Sequence, residues 1–75
     1  MHQLLNTLYV TTEGAYLRAD HDTLRVEVEK ETKLQVPFHH LGGVVCFGDV
    51  MMSPAAMQRC AEDGRFVVLL DRNGR

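Results

Sequence analysis

The sequence predicts an α+β fold, in which a β-rich meander of hairpins is followed by one βαβ unit with a single short helix. Three observations predict it. Residues 24–29 alternate between apolar and charged side chains, which is typical of a strand with one buried face. Residues 44–47 and 66–70 are wholly apolar, which is typical of strands covered on both faces, and a helix start lies between them.

The meander begins with two strands. Leu8–Thr12 is rich in aromatic and β-branched residues, and Ala15–Ala19 follows it closely. Glu13-Gly14 between them predicts a tight hairpin, because glycine supplies the positive φ that such turns need. Asp20-His21-Asp22 then predicts a turn, since aspartate side chains bond to their own backbone.

The clearest alternation follows in residues 24–29, and it resumes in residues 34–38 after a polar loop at 30–33. Pro37 cannot donate to a strand ladder and therefore predicts a strand end or an edge strand. The apolar residues of this region are expected to be core or dimer-interface residues, two roles that periodicity does not separate: Leu24, Val26, Val28, Leu34 and Val36.

The βαβ unit has both a start and a stop signal for its helix. Ser53 is suited to the N-cap, and Pro54 to the first helical position, where its φ is preset. Asp63-Gly64 predicts the end of the helix. The flanking strands, 44–47 and 66–70, are therefore expected to run parallel to each other.

Length and composition limit the classes of protein. A chain of 75 residues allows one domain, and 8 Lys+Arg against 10 Asp+Glu argue against a strongly basic nucleic-acid module but not against a local basic patch. No apolar run approaches the roughly 20 residues that span a membrane. No secretory leader is recognisable, so a cytoplasmic location is expected. Cys46 and Cys60 have no CxxC spacing and predict buried, structural thiols.

The last residues predict an unfinished hairpin. Asp71-Arg72-Asn73-Gly74 is a turn signal, and Asn-Gly is its strongest form. A hairpin turn needs a returning strand, so residues 1–75 are expected to be a single β domain that belongs to a longer protein.

No catalytic constellation is recognisable. His39-His40 would point to opposite sides of a strand, and Asp20-His21-Asp22 is better explained as a solvated turn than as a cation site. Ser53 lacks the G-x-S-x-G context of a nucleophile. Asp49 and Asp71 each follow an apolar strand, where α/β proteins place their sites, so a metal-binding pair of aspartates is an alternative to turn and cap roles.

Three segments carry a resemblance to a known family: Leu41–Gly48, Ser53–Ala56 and Gly64–Arg75. They closely resemble the amino-terminal half of the CRISPR adaptation integrase, the CRISPR-associated endonuclease that inserts new spacers. Leu4–Val10 and Lys33–Pro37 are also similar to its type I-C branch.

The resemblance implies a β-rich amino-terminal domain followed by a larger helical domain, which holds a catalytic site for a divalent metal, Mg or Mn. No catalytic residue, metal ligand or cofactor is carried over to this chain. The domain would serve dimerisation and DNA positioning in antiviral defence. The partners implied are a second copy, double-stranded DNA (the spacer precursor and the CRISPR repeat) and a small CRISPR-associated subunit.

Arg59 and Arg65 are the candidate DNA contacts, since the C-terminal third is modestly positive and phosphates attract arginine. Two alternatives come from other classes of protein. One is a self-standing, small metal-dependent nuclease that uses Asp49 and Asp71; the other is a β-rich adaptor without a DNA role.

Overall fold

The fold is built from two four-stranded sheets that share one apolar core. A computed structural model describes residues 2–4 and 6–71 of the chain. Its elements are β1 (His2–Leu4), β2 (Thr7–Val10), β3 (Tyr16–Asp20), β4 (Thr23–Val28), β5 (Glu31–Pro37), a 3₁₀ helix (Phe38–His40), β6 (Gly43–Phe47), β7 (Met51–Met52), α1 (Pro54–Glu62) and β8 (Phe66–Leu70). The α+β prediction, with a meander and one βαβ unit, is confirmed.

The first sheet has the strand order β1-β2-β6-β8 and contains the βαβ unit. β6 and β8 are parallel neighbours, as predicted, and Gly43 is paired with Phe66 and Phe47 with Leu70. β2 runs parallel to the other side of β6, and β1 is antiparallel to β2. β6 is thus a central strand with β2 and β8 as its neighbours.

The second sheet has the strand order β5-β4-β3-β7, and β3, β4 and β5 form the predicted antiparallel meander. Pro37 is the last residue of the edge strand β5, as predicted. The predicted polar loop at 30–33 is too long, because Val28 already pairs with Glu31 across a two-residue turn. Both turn residues, Glu29 and Lys30, have positive φ, as type I′ turns require.

The predicted hairpin at Glu13-Gly14 is wrong. β2 and β3 belong to different sheets, because β1 and β6 occupy both edges of β2. Gly14 does have a positive φ of 79°, and its N–H donates to the carbonyl of Asp49 at 2.8 Å. The segment therefore makes a turn that carries the chain from one sheet to the other. Sequence reasoning also missed the short β7, which pairs in parallel with β3.

The core lies between the sheets and is covered by α1. Both sheets contribute buried side chains to one cluster, to which α1 adds Ala56 and Cys60. These two residues are four apart and so lie on one face of the helix. The start of α1 is as predicted: Pro54 is its first residue, and the Ser53 hydroxyl accepts a hydrogen bond from the N–H of Ala56 at 3.1 Å.

β8 departs from the prediction of a strand buried on both faces. Phe66 is 48% exposed, Val68 is 37% exposed and Leu69 is 50% exposed. Val67 packs against the core, so Phe66 and Val68 on either side of it lie on the opposite face of the sheet. Leu69 is exposed where β8 forms an edge of the first sheet among the described residues.

The β4–β5 turn allows a stability test. We expect Lys30→Gly to stabilise the chain by about 1 kcal/mol, because glycine relieves the cost of a left-handed conformation at φ 67°. Thermal unfolding should show a Tm higher by about 4–8 °C. Thr32→Gly in β5 is the control and should lower the Tm, since glycine weakens a strand. A fall in Tm for both variants would contradict this explanation.

Candidate nucleic-acid interface around Phe38

The predicted DNA contacts, Arg59 and Arg65, converge on the ring of Phe38. Arg59 lies in the last turn of α1, Arg65 follows the helix, and Phe38 begins the 3₁₀ helix after β5. The guanidinium carbons lie 4.8 Å and 5.6 Å from the ring centroid for Arg59 and Arg65, respectively. Both distances are within the range of cation–π attraction. We call Phe38, Arg59, Asp63 and Arg65 the arginine clasp.

Arg65 is mainly held inside the clasp. Its Nε donates to the carbonyls of Phe38 at 2.8 Å and Leu41 at 2.9 Å, and its Nη1 bonds to Asp63. Only 13% of its side chain is exposed. Arg65 therefore ties the end of α1 to the 3₁₀ helix, a role that the sequence did not reveal because the partners are backbone carbonyls more than 20 residues away.

Arg59 joins the clasp to the turn between β3 and β4. Its Nε donates to Asp63 at 3.1 Å, its Nη1 to the carbonyl of His21 at 3.1 Å, and its Nη2 to Asp22 at 3.2 Å. A third of its side chain, 33%, is exposed, while the Asp22 side chain is 88% exposed. Arg59 is thus the arginine of the clasp that a ligand in solution can reach more readily.

The charged groups of the clasp stabilise each other's ionised forms. The hydrogen bond from Arg59, helped by Arg65, holds the pKa of Asp63 below its ordinary value. The same bond, which Asp63 accepts, and a second bond, which Asp22 accepts, raise the pKa of Arg59. Two arginines thus face two carboxylates, so this end of the molecule offers hydrogen-bond donors without a large excess of positive charge.

A second charged cluster lies on the outer face of the second sheet and was missed by sequence reasoning. Arg18 and Arg25 are direct cross-strand neighbours in β3 and β4. Glu27 lies 3.5 Å from Arg18 and 3.4 Å from Arg25, and Asp20 bonds to Arg25. The alternation in residues 24–29 shows that Arg25 and Glu27 share a face, but only the strand register places Arg18 beside them.

The predicted apolar site residues lie in or against the core. Leu24 and Val26 are fully buried and Val36 is 6% exposed, while Val28 and Leu34 are partly buried and pack against the cluster. Leu24, Val26 and Val36 therefore contact the interior of this chain.

The other candidate groups have structural surroundings. Burial raises the pKa of Cys46 to about 11, and burial also raises the pKa of Cys60, as expected for unreactive thiols. His21 and Asp22 form the β3–β4 turn after Asp20, the last residue of β3, and a hydrogen bond with His21 lowers the pKa of Asp20. Asp49 follows β6 and Asp71 follows β8, at strand ends that are adjacent through the Phe47–Leu70 pair.

Within residues 2–4 and 6–71, no three His, Cys, Asp or Glu side chains form a group that could bind a metal ion. The strand-end aspartates Asp49 and Asp71 therefore do not belong to such a group in the described part of the chain. In the same part, no helix is long and apolar enough to cross a membrane.

The chain is a β-rich α+β domain, since it consists of two small sheets and one helix that covers their core. The chain belongs to the CRISPR-associated Cas1 family, since the model of the family described as CRISPR associated protein Cas1 matches residues 8–75. It corresponds to the amino-terminal portion of that protein.

Similar curated proteins agree with this assignment. The chain is 53% identical over its whole length to a CRISPR-associated endonuclease Cas1 of Moorella thermoacetica, and 51% identical to one of Rhodospirillum rubrum. A third such protein, from Chlorobaculum tepidum, is 40% identical. In each case the chain spans 22% of the relative, or about a fifth of its length.

Solved structures have the same fold. A chain of a partial Cas6-RT-Cas1–Cas2 complex matches with a TM-score of 0.83 at 23% identity, over 92% of this chain and 21% of that one. A CAS1 protein from Thermotoga maritima matches with a TM-score of 0.73 at 19% identity, over 97% of this chain and 22% of that one.

The clasp should contribute to stability through Arg65. We expect Arg65→Ala to lower the free energy of unfolding by about 1–3 kcal/mol, because the Phe38 and Leu41 carbonyls lose their donor. Chemical denaturation measures the decrease. Arg18→Ala is the control and should change stability by less than about 0.5 kcal/mol, since the ion pair of Arg18 with Glu27, at 3.5 Å, lies on an exposed face. Equal decreases would show that the carbonyl bonds of Arg65 add nothing.

The clasp should also be sensitive to acid. Since folding lowers the pKa of Asp63, its contribution to stability is present above the unfolded value and is lost as the pH falls through the folded value. We expect Asp63→Asn to lower the Tm at neutral pH, and the difference from the unsubstituted chain to shrink as the pH falls below 3.8. Thermal melts over this pH range test the expectation. A difference in Tm that does not vary with pH would contradict it.

Proposed function

We propose that this chain is the non-catalytic amino-terminal domain of a CRISPR spacer-acquisition integrase, and that it serves dimerisation and DNA positioning in antiviral defence. The observation that carries the proposal is the match of the Cas1 family model to residues 8–75. Within the family we assign the chain to the type I-C branch, on the resemblance of Leu4–Val10 and Lys33–Pro37 to that branch.

The chemistry of the longer protein is part of the proposal. The curated relatives are named endonucleases, and the chain spans about a fifth of their length. We infer that the longer protein cleaves and joins DNA with Mg or Mn, in the cytoplasm, and that the metal ligands lie outside the residues described. The similar solved assemblies pair Cas1 with Cas2, which supports a small CRISPR-associated subunit as partner.

The arginine clasp supports a role in positioning DNA. The exposed ion pair between Arg59 and Asp22 is worth at most about 1 kcal/mol, so a phosphate oxygen can replace the Asp22 carboxylate. Arg59 would then bind phosphate while its contacts with Asp63 and Phe38 keep the guanidinium in place. Arg65 remains a predicted DNA contact, although its two carbonyl bonds favour the role of holding the 3₁₀ helix against α1.

Dimerisation would draw on the apolar residues that the core leaves partly exposed. Leu24 and Val26 are fully buried in their own chain, so they cannot contact a second copy and can only support the residues that do. Val28 and Leu34 lie near the β4–β5 turn and are only partly buried. A second copy that packs against this end of the second sheet would cover both residues, which is the form of the dimer proposal that the burial favours.

DNA binding by the full-length protein tests the clasp. We expect Arg59→Ala, alone and with Arg65→Ala, to weaken binding to double-stranded DNA and to lower the salt slope by about one for each phosphate that is no longer bound. Asp22→Asn should strengthen binding, because it removes the carboxylate that competes for Arg59. The readout is affinity measured as a function of salt, at temperatures where every variant is folded.

Arg18→Ala serves as the matched control, because Arg18 is exposed but lies on the outer face of the second sheet. Unchanged affinity and unchanged slope for Arg59→Ala would remove this arginine from the proposed interface. Cleavage of DNA by this chain alone with Mg²⁺ or Mn²⁺, abolished by Asp49→Asn, would instead establish the alternative of a small nuclease.

A further inference from the structure

The first sheet has an outer face that is apolar across three strands. The inward side chains of β2 and β6, such as Leu8 and Val44, are buried in the core. The residues between them point the other way, because successive side chains of a strand alternate. Strand register aligns these outward residues with those of β8: Tyr9, Val45, Phe47, Phe66, Val68 and Leu70. We call these six residues the outer apolar face.

The ring of Phe66 is fitted closely to this face. Phe66 pairs with Gly43 in β6, and a Cβ atom placed on Gly43 would lie only 2.2 Å from the ring. The ring thus lies directly over the glycine backbone. Gly43 is buried beneath it, whereas Phe66 itself is 48% exposed. The outer apolar face is thus most exposed at Phe66 and Val68, and its other four residues are partly buried.

The outer face of the second sheet shows how the same chain treats a face that meets water. There most outward residues of β3, β4 and β5 are charged or polar, as in Arg18, Arg25, Glu27 and Gln35, and these four form ion pairs and hydrogen bonds. Met51 in the short β7 is an exposed apolar residue on this side. Since the second sheet has mostly polar residues on its outer face, the apolar outer face of the first sheet indicates a surface that is covered in the longer protein.

We propose that, in the longer protein, the outer apolar face is covered by the polypeptide that follows β8 in the same chain. This inference rests on the proposed function only in taking the chain as part of a longer family member. The relatives are between four and five times as long, since the chain spans 22% of each. β8 itself supplies half of the face, so the polypeptide that continues from Leu70 begins beside it.

Two physical arguments favour this occupant over a second copy. A covalently attached segment has an effective concentration in the millimolar range, whereas a second copy must be recruited from solution. β8 also forms the edge of its sheet among the described residues, and strands that are consecutive in sequence pair with each other about two-thirds of the time. The hairpin turn predicted at 71–74, of which residues 72–74 lie outside the described residues, would bring such a strand back along this edge. That strand would extend the sheet, and the polypeptide beyond it would start at the border of the outer apolar face.

Thiol labelling of the full-length protein tests the proposal. Val68→Cys places a thiol on the outer apolar face, and Gln35→Cys places the control on the exposed outer face of the second sheet. Labelling by a maleimide at Val68→Cys should be slower than at Gln35→Cys by about tenfold or more, because reaction would require local opening. The unsubstituted protein supplies the background from the buried Cys46 and Cys60.

Similar rates at both positions in the full-length protein would overturn the proposal. Slow labelling of Val68→Cys that becomes fast on dilution would also overturn it, because it would assign the face to a second copy. Hydrogen exchange provides a measurement without substitutions: the amides of β8 should be protected in the full-length protein independently of its concentration. Loss of DNA binding or of dimerisation would leave these outcomes unchanged, so the failure of the proposed function can be recognised separately.

Discussion

The structure depends on the single apolar core that the two sheets share. Neither four-stranded sheet could bury an apolar face alone, and α1 adds only Ala56 and Cys60 to the cluster. Each sheet therefore acts as the cover of the other, and the chain must cross between them repeatedly. The short parallel pairing of β7 with β3 and the turn at Gly14 are consequences of these crossings. They join the sheets at the points where the chain passes from one to the other.

Short sequence motifs predict the helix ends and turns of this chain, but they do not predict which distant strands pair with each other. α1 was predicted within a residue, because Ser53, Pro54 and Gly64 act through contacts with their neighbours. The hairpin at Glu13-Gly14 was wrong, because a glycine with positive φ suits a turn between sheets as well as one within a sheet. β7 is too short for periodicity to show it. Its two residues become a strand only because β3 lies beside them.

The sequence likewise does not show which partners the arginines of the candidate site have. Composition indicated a modest excess of arginine in the C-terminal third, and both predicted arginines do lie at one end of the molecule. What the sequence could not show is that Arg65 is held by the carbonyls of Phe38 and Leu41, while Arg59 keeps a third of its side chain exposed. An arginine's partners decide whether it stabilises the fold or remains able to bind a ligand, and these partners are distant in sequence.

The outer faces of the two sheets differ in polarity, and this difference bears on how the domain sits in a longer protein. The second sheet has a charged outer face that water can solvate, while the first sheet has an apolar one. Selection for stability of an isolated domain would not produce this difference, because the exposed rings and branched side chains of β8 gain nothing from solvent. The asymmetry fits a domain that meets solvent on one outer face and, as proposed, the rest of its own polypeptide on the other. The proposed cover would also account for β8, whose wholly apolar sequence predicts burial on both faces although three of its five residues are exposed.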